Sequence, residues 1–139
     1  MKFVGLILAI IFVAGCSKEV QKNKQFDGVW KPVTLTIFNY NGLKNEVPIL
    51  GFIKFSRDGK KSKSGTYEFA VNYTFQGNDD AYIDHGTYVI DNGNVVTLKS
   101  AVDASETMST IVYITKDDLK FEIPNKNFLG YYFLMKKEK

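Results

Sequence analysis

The chain has 139 residues, 45% of them hydrophobic and 24% charged, with 11 phenylalanines and 8 tyrosines but one cysteine and one histidine. Its formal net charge of +3 includes Lys2, and the other basic residues are lysines scattered along the sequence, which excludes a chain built to bind nucleic acid. A single cysteine excludes an internal disulfide, and a single histidine leaves little material for acid–base catalysis or a zinc centre.

The chain opens with Lys2 and an apolar run from Phe3 to Val13. The run is about half the roughly 20 residues that a membrane-spanning helix needs, so residues 1–15 read as a cleaved signal peptide. Val13-Ala14-Gly15-Cys16 resembles the lipobox of bacterial lipoproteins: a branched apolar residue, two small residues and the cysteine. That resemblance implies a lipid-bearing Cys16 and a membrane partner, held by a diacylglycerol and an amine-linked acyl chain, since stable anchoring takes about two chains. Ser17 in place of an aspartate after the cysteine resembles an outer-membrane address in Gram-negative sorting. The following stretch is polar, so residues 16–25 read as the lipidated cysteine and a flexible tether reaching roughly 15 to 20 Å.

Residues 26–139 suffice for one domain, and they alternate in the manner of strands. The clearest case is Thr66 to Phe75, where Tyr67, Phe69, Val71, Tyr73 and Phe75 share one face and polar residues fill most of the other. Leu119, Phe121 and Ile123 repeat the pattern around Lys120 and Glu122. Further strands are predicted at 29–37, 49–55, 86–90, 95–99, 107–114 and 131–135. Turns fall at Asn41-Gly42, Asp58-Gly59, Gly77-Asn78 and Asn92-Gly93. Pro32 inside the first strand implies an edge or a bulge. No long segment carries a 3.6-residue apolar stripe. The expected fold is all-β, an up-and-down antiparallel barrel of about eight strands, with a two-sheet sandwich as the alternative.

Gly28-Val29-Trp30-Lys31-Pro32-Val33-Thr34-Leu35 carries a Gly-x-Trp and is similar to the first strand of lipocalin-like domains in bacterial lipoproteins. Phe52 to Gly59, Gly86 to Asn94, Thr115 to Phe121 and Tyr131 to Lys137 are similar in layout. The resemblance implies a barrel in which Trp30 is structural, closing one end beneath a basic side chain from a late strand. The one arginine, Arg57, lies early in the sequence, so Lys136 or Lys137 would take that place.

An eight-stranded barrel either fills itself or holds one small ligand. The candidate ligand-lining residues are Tyr67, Phe69, Tyr73, Tyr88, Phe121, Tyr131 and Phe133, suited to a mostly apolar ligand with one or two hydrogen-bonding groups. The alternative is that these rings are simply core. His85 beside Asp84 reads as a solvated loop histidine, and Asp79, Asp80 and Asp84 lack the spacing of a calcium loop. The Lys60, Lys61, Lys63 cluster reads as a solvated turn. No catalytic residue, metal or cofactor is expected. The leading expectation is a non-enzymatic, lipid-anchored envelope protein that binds a small apolar ligand, located at the outer membrane. The second is an interaction or inhibitor module that grips another envelope protein through the 38–48 and 77–86 loops.

Overall fold

A computed structural model describes residues 17–39, 41, 42, 44–124 and 129–139. The signal segment and Cys16 lie outside the described residues. One helix, α1 (Lys18–Phe26), precedes nine strands: β1 (Gly28–Asn39), β2 (Lys44–Val47), β3 (Ile49–Arg57), β4 (Ser64–Phe75), β5 (Asn78–Asp91), β6 (Val95–Ser100), β7 (Glu106–Ile114), β8 (Asp118–Pro124) and β9 (Leu129–Lys137). Strands β3 to β9 pair with their neighbours in sequence, and β1 pairs with both β3 and β9. The result is a closed antiparallel up-and-down barrel of eight strands with β2 as an extra strand, not a sandwich.

The alternation seen in the sequence sets the inside of the barrel. Tyr67, Phe69, Val71 and Tyr73 on β4, Tyr88 and Ile90 on β5, Val96 and Leu98 on β6, Leu119, Phe121 and Ile123 on β8, and Phe133 and Met135 on β9 are all buried. The irregularities also follow from local chemistry. Pairing of β1 with β9 slips between Pro32 and Thr34, because proline has no N–H to give to the ladder, and Val33 bulges outward. Above that point β1 leaves β3 and takes β2 instead, with Leu35 opposite Val47 and Phe38 opposite Lys44. The region expected as a long loop therefore contains a strand. The loop expected at 77–86 is strand too: the two-residue turn Gln76-Gly77, both at positive φ, closes a long β4–β5 hairpin.

The tether expected over residues 16–25 is corrected: Lys18–Phe26 is a helix packed across one end of the barrel. The Ser17 side chain caps it, accepting a hydrogen bond from Val20 N. Its inner side presents Asn23 and Phe26, both fully buried. The Phe26 ring stacks on Phe55 with centroids 3.6 Å apart and meets Tyr88 at 5.3 Å and Phe121 at 5.7 Å. Asn23 donates to the carbonyls of Ser62 (2.8 Å) and Ser64 (3.1 Å) and accepts from the Tyr88 hydroxyl. The Asn23 amide and the Tyr88 hydroxyl are thereby paired, as burial requires. α1 is a plug.

Trp30 completes the closed end. Its indole N–H donates to the Phe26 carbonyl at 2.9 Å, and Lys137 Nζ lies 5.0 Å from its ring centroid. Antiparallel pairing decides which lysine serves: Lys137 stands opposite Trp30, whereas Lys136 points outward to Asp118 at 2.9 Å. Lys137 also donates to the Gln25 carbonyl at 2.8 Å, tying α1 to β9, and burial holds its amine below the usual lysine value. Lys137→Ala is expected to lower stability by about 1–2 kcal/mol through the lost ring contact and hydrogen bond. Lys137→Arg should retain or exceed the wild-type urea midpoint, because a planar guanidinium stacks on an indole more closely than an ammonium does.

Candidate functional site

The plug and the strand directions give the barrel two unlike ends. β1, β4, β6 and β8 run away from α1, so the β4–β5 turn and the 101–105 turn lie at the opposite, open end. Between the ends runs a column of rings. Phe55 meets Phe69 at 5.9 Å, Phe69 meets Phe133 at 6.1 Å and Tyr82 at 5.4 Å, and Tyr82 meets Tyr131 at 6.4 Å. Tyr131 lies 6.5 Å from Tyr73.

This column sorts the candidate residues. Tyr88 and Phe121 touch the plug at the closed end, and Phe69 and Phe133 fill the middle; all four are packed on every side. Tyr67 lies alongside Phe69 at 5.5 Å. Tyr73 and Tyr131 stand near the rim, and the structure adds Tyr82 to them. The lower barrel is therefore self-filled, and the groups within reach of solvent are gathered at the open end.

β5 shows the transition most directly. Its inward positions pass from Ile90 and Tyr88, both buried, through partly buried Asp84 and Tyr82 to exposed Asp80. Pairing with β4 places Asp84 beside Phe69, Tyr82 beside Val71 and Asp80 beside Tyr73, all on the inner face. Asp84 accepts from the Tyr67 hydroxyl at 2.7 Å, from Ser100 Oγ at 2.6 Å and from the His85 backbone N–H at 2.9 Å. Asp80 accepts from the Tyr73 hydroxyl at 3.2 Å and from Ala81 N at 2.8 Å. β6 pairs with β5 only as far as Gly86, so these two carboxylates also satisfy backbone donors along the unpaired upper edge of β5.

The sequence reads 77–86 as a loop, whereas Asp80 and Asp84 lie on a strand and face inward. The signal was present: extending the alternation of Ile90, Tyr88 and Gly86 back by three more steps passes through Asp84, Tyr82 and Asp80. The same alternation separates Asp84 from His85, which is exposed on the outer face opposite Glu68.

The phenols here are hydrogen-bond donors with no tendency to ionise. Burial, helped by Asp84 and then Tyr131, pushes Tyr82 up to about 12. Burial first, and then its bond to Asp84, raises Tyr67; burial first, and then Tyr131, raises Tyr73. Deeper in, Ser109 is fully buried and its hydroxyl has no hydrogen-bond partner among the described residues. The open end thus offers ring faces, phenolic donors and two carboxylates. The described residues contain no group of three or more metal-ligating side chains.

No protein-family model matches the chain, and no curated protein matches its sequence. Among solved structures it is similar to a de novo designed fluorescence-activating β-barrel, with TM-score 0.53 and 9% identity over 84% of this chain and 96% of that one. It is also similar to the redesigned barrel mFAP1 bound to DFHBI, with TM-score 0.52 and 10% identity over 83% and 97% of the two chains. The bovine lipocalin allergen Bos d 2 aligns at TM-score 0.48 and 11% identity over 84% and 75%. At such identities likeness extends to the fold alone, and the closed up-and-down barrel is what this chain shares with the designed ones.

Proposed function

We propose that this chain is a lipid-anchored envelope protein of the bacterial lipocalin-like kind, which binds a small, partly apolar ligand at the open end of its barrel. The observation that carries the reading is the gradient along β5, from buried Tyr88 to partly buried Asp84 and Tyr82, with the opposite end sealed by α1. A barrel that only had to be stable would gain from apolar residues at those inward positions, because carboxylates near the core are costly unless paired. Tyr82, Tyr131 and Asp84 suit a ligand with an aromatic or aliphatic body and a polar group that donates hydrogen bonds. The lipid anchor rests on Val13-Ala14-Gly15-Cys16, and the outer-membrane address on Ser17. The role is one of binding, not catalysis: Asp84 and His85, adjacent in sequence, face opposite sides of the wall.

Native mass spectrometry tests this on the chain from residue 16 onward carrying Cys16→Ala, purified from its own host. The expected result is a small-molecule adduct that is lost on unfolding and absent from the Tyr82→Ala variant. A bare mass from the wild-type barrel would overturn small-ligand binding. That outcome would favour the second reading, an envelope interaction module, for which the outer face supplies a specific feature. Phe52, Ala70 and Ile83 form one row across β3, β4 and β5, with Ile83 72% exposed and Leu50, next along β3, 74% exposed.

A further inference from the structure

Lysines far apart in sequence converge on the closed end. α1 brings Lys18, Lys22 and Lys24, and the turn between β3 and β4 brings Lys60, Lys61 and Lys63. That turn is held to the helix by the Asn23 bonds to Ser62 and Ser64. The β7–β8 turn adds Lys116, which lines one groove with Lys24, Lys137 and Lys139 between α1 and the end of β9. Most acidic residues at this end are engaged: Asp27 with Arg57 at 3.7 Å, Asp91 with Lys63 at 3.5 Å, Asp118 with Lys136 at 2.9 Å, Glu19 with the Gly93 N–H at 3.1 Å and Asp58 with the Ser64 hydroxyl at 2.8 Å, while Asp117 and Glu138 stand among the lysines of the groove, which outnumber them. Lys24, Lys60, Lys61 and Lys116 are exposed and have no ion pair among the described residues.

The opposite end has the reverse character. Glu46, Asp79, Asp80, Asp103 and Glu106 stand at or near the mouth, with Lys44 at that end, Lys99 opposite Glu106 and Lys120 on the outer wall beside Glu46. A net charge near zero for the domain therefore conceals a molecule with a basic closed end and an acidic open one. Ser17, one peptide bond from Cys16, caps the helix at the basic end.

From this placement we infer that the closed end is a membrane-docking face whose lysines bind anionic phospholipid headgroups, so that the mouth opens away from the bilayer. The inference rests on the reading of Cys16 as the lipid anchor, because an anchor beside α1 leaves no length of tether to turn the barrel over. A surface lysine beside an anionic membrane contributes roughly a fivefold gain in partitioning, and the effect fades within a Debye length of about 8–10 Å. An acidic mouth would be repelled from the same surface.

The test uses the chain from residue 16 onward with Cys16→Ala, which keeps every described residue. Binding is read by energy transfer from Trp30, the one tryptophan, to a dansyl-labelled headgroup in vesicles of phosphatidylcholine alone or with about 30% phosphatidylglycerol. Binding is expected to the anionic vesicles, to fall with added salt, and to weaken at least tenfold in Lys24→Glu/Lys61→Glu/Lys116→Glu. A charge-matched control, Lys44→Glu/Lys99→Glu/Lys120→Glu, changes lysines of the outer wall that lie outside the groove and the β3–β4 turn and should lose much less. Equal binding to neutral and anionic vesicles, or equal losses in the two triple variants, would overturn the inference. The wild-type salt series decides the matter even if the first variant does not fold. Lipidation is read separately, from the mass of the N-terminal fragment of the full chain, and ligand binding from the native spectrum, so failure of either leaves this result distinguishable.

Discussion

Phe26→Ala is expected to destabilise the barrel by about 3–5 kcal/mol, a large share of the total stability of a domain this size. Phe26 is fully buried against Phe55, Tyr88 and Phe121, so truncation leaves a ring-sized void at the closed end that the strands, paired on both sides, cannot collapse to fill. The loss spreads beyond the ring. Without it the helix loses its anchor, and Asn23 no longer pairs the Tyr88 hydroxyl or the Ser62 and Ser64 carbonyls. Urea unfolding of the purified chain measures this, with Gln25→Ala, at an exposed neighbouring position, as a control expected to stay within about 0.5 kcal/mol of wild type. If both variants unfold at the wild-type midpoint, α1 is not an integral plug and the tether reading returns.

Alkaline pH should unfold the protein in a defined window. Tyr82 has its pKa raised from 10.0 to about 12 by burial, and Tyr67, Tyr73 and Tyr88 move in the same direction, burial being the first cause in each. A raised folded pKa means that the folded state holds its proton more tightly than the unfolded chain does. The associated stability is fully present below pH 10 and is lost as pH rises from there through the folded value. For Tyr82 alone the loss is about 2–3 kcal/mol, and the other three add to it. Urea midpoints at successive pH values, read together with tyrosinate absorbance, check the sign and the window. Stability unchanged up to pH 12, with the tyrosines titrating normally in the folded protein, would show that these phenols are not enclosed.

The strands and their facing were legible because the signal is local. Thr66 to Phe75 alternates aromatic and mostly polar residues with period two, which no helix can satisfy, and β4 buries Tyr67, Phe69, Val71 and Tyr73 as that period requires. Pro32 announced the irregularity in β1, and the Gly-x-Trp pointed to Trp30 beneath a late lysine. The helix was not legible in the same way. The side that α1 buries consists of Asn23 and Phe26 among lysines and glutamines, so the apolar stripe that marks a helix is missing, and only the cap at Ser17 remained as a sign. Asn23 becomes a core residue because Tyr88, Ser62 and Ser64 supply its partners, and none of these is near it in sequence.

The same division holds for the ends of the barrel. By itself the sequence determined the all-β alternation, the count of about eight strands and most of the inward aromatic set, since each depends on residues within one strand or turn. Only the tertiary structure decided which end is sealed, that Asp80 and Asp84 face inward with Tyr82, and that lysines from α1, the β3–β4 turn, the β7–β8 turn and β9 share one face. Those features are sums over segments that meet only when the barrel closes: a composition near neutrality fixes the total charge, while the path of the chain fixes where the charges stand.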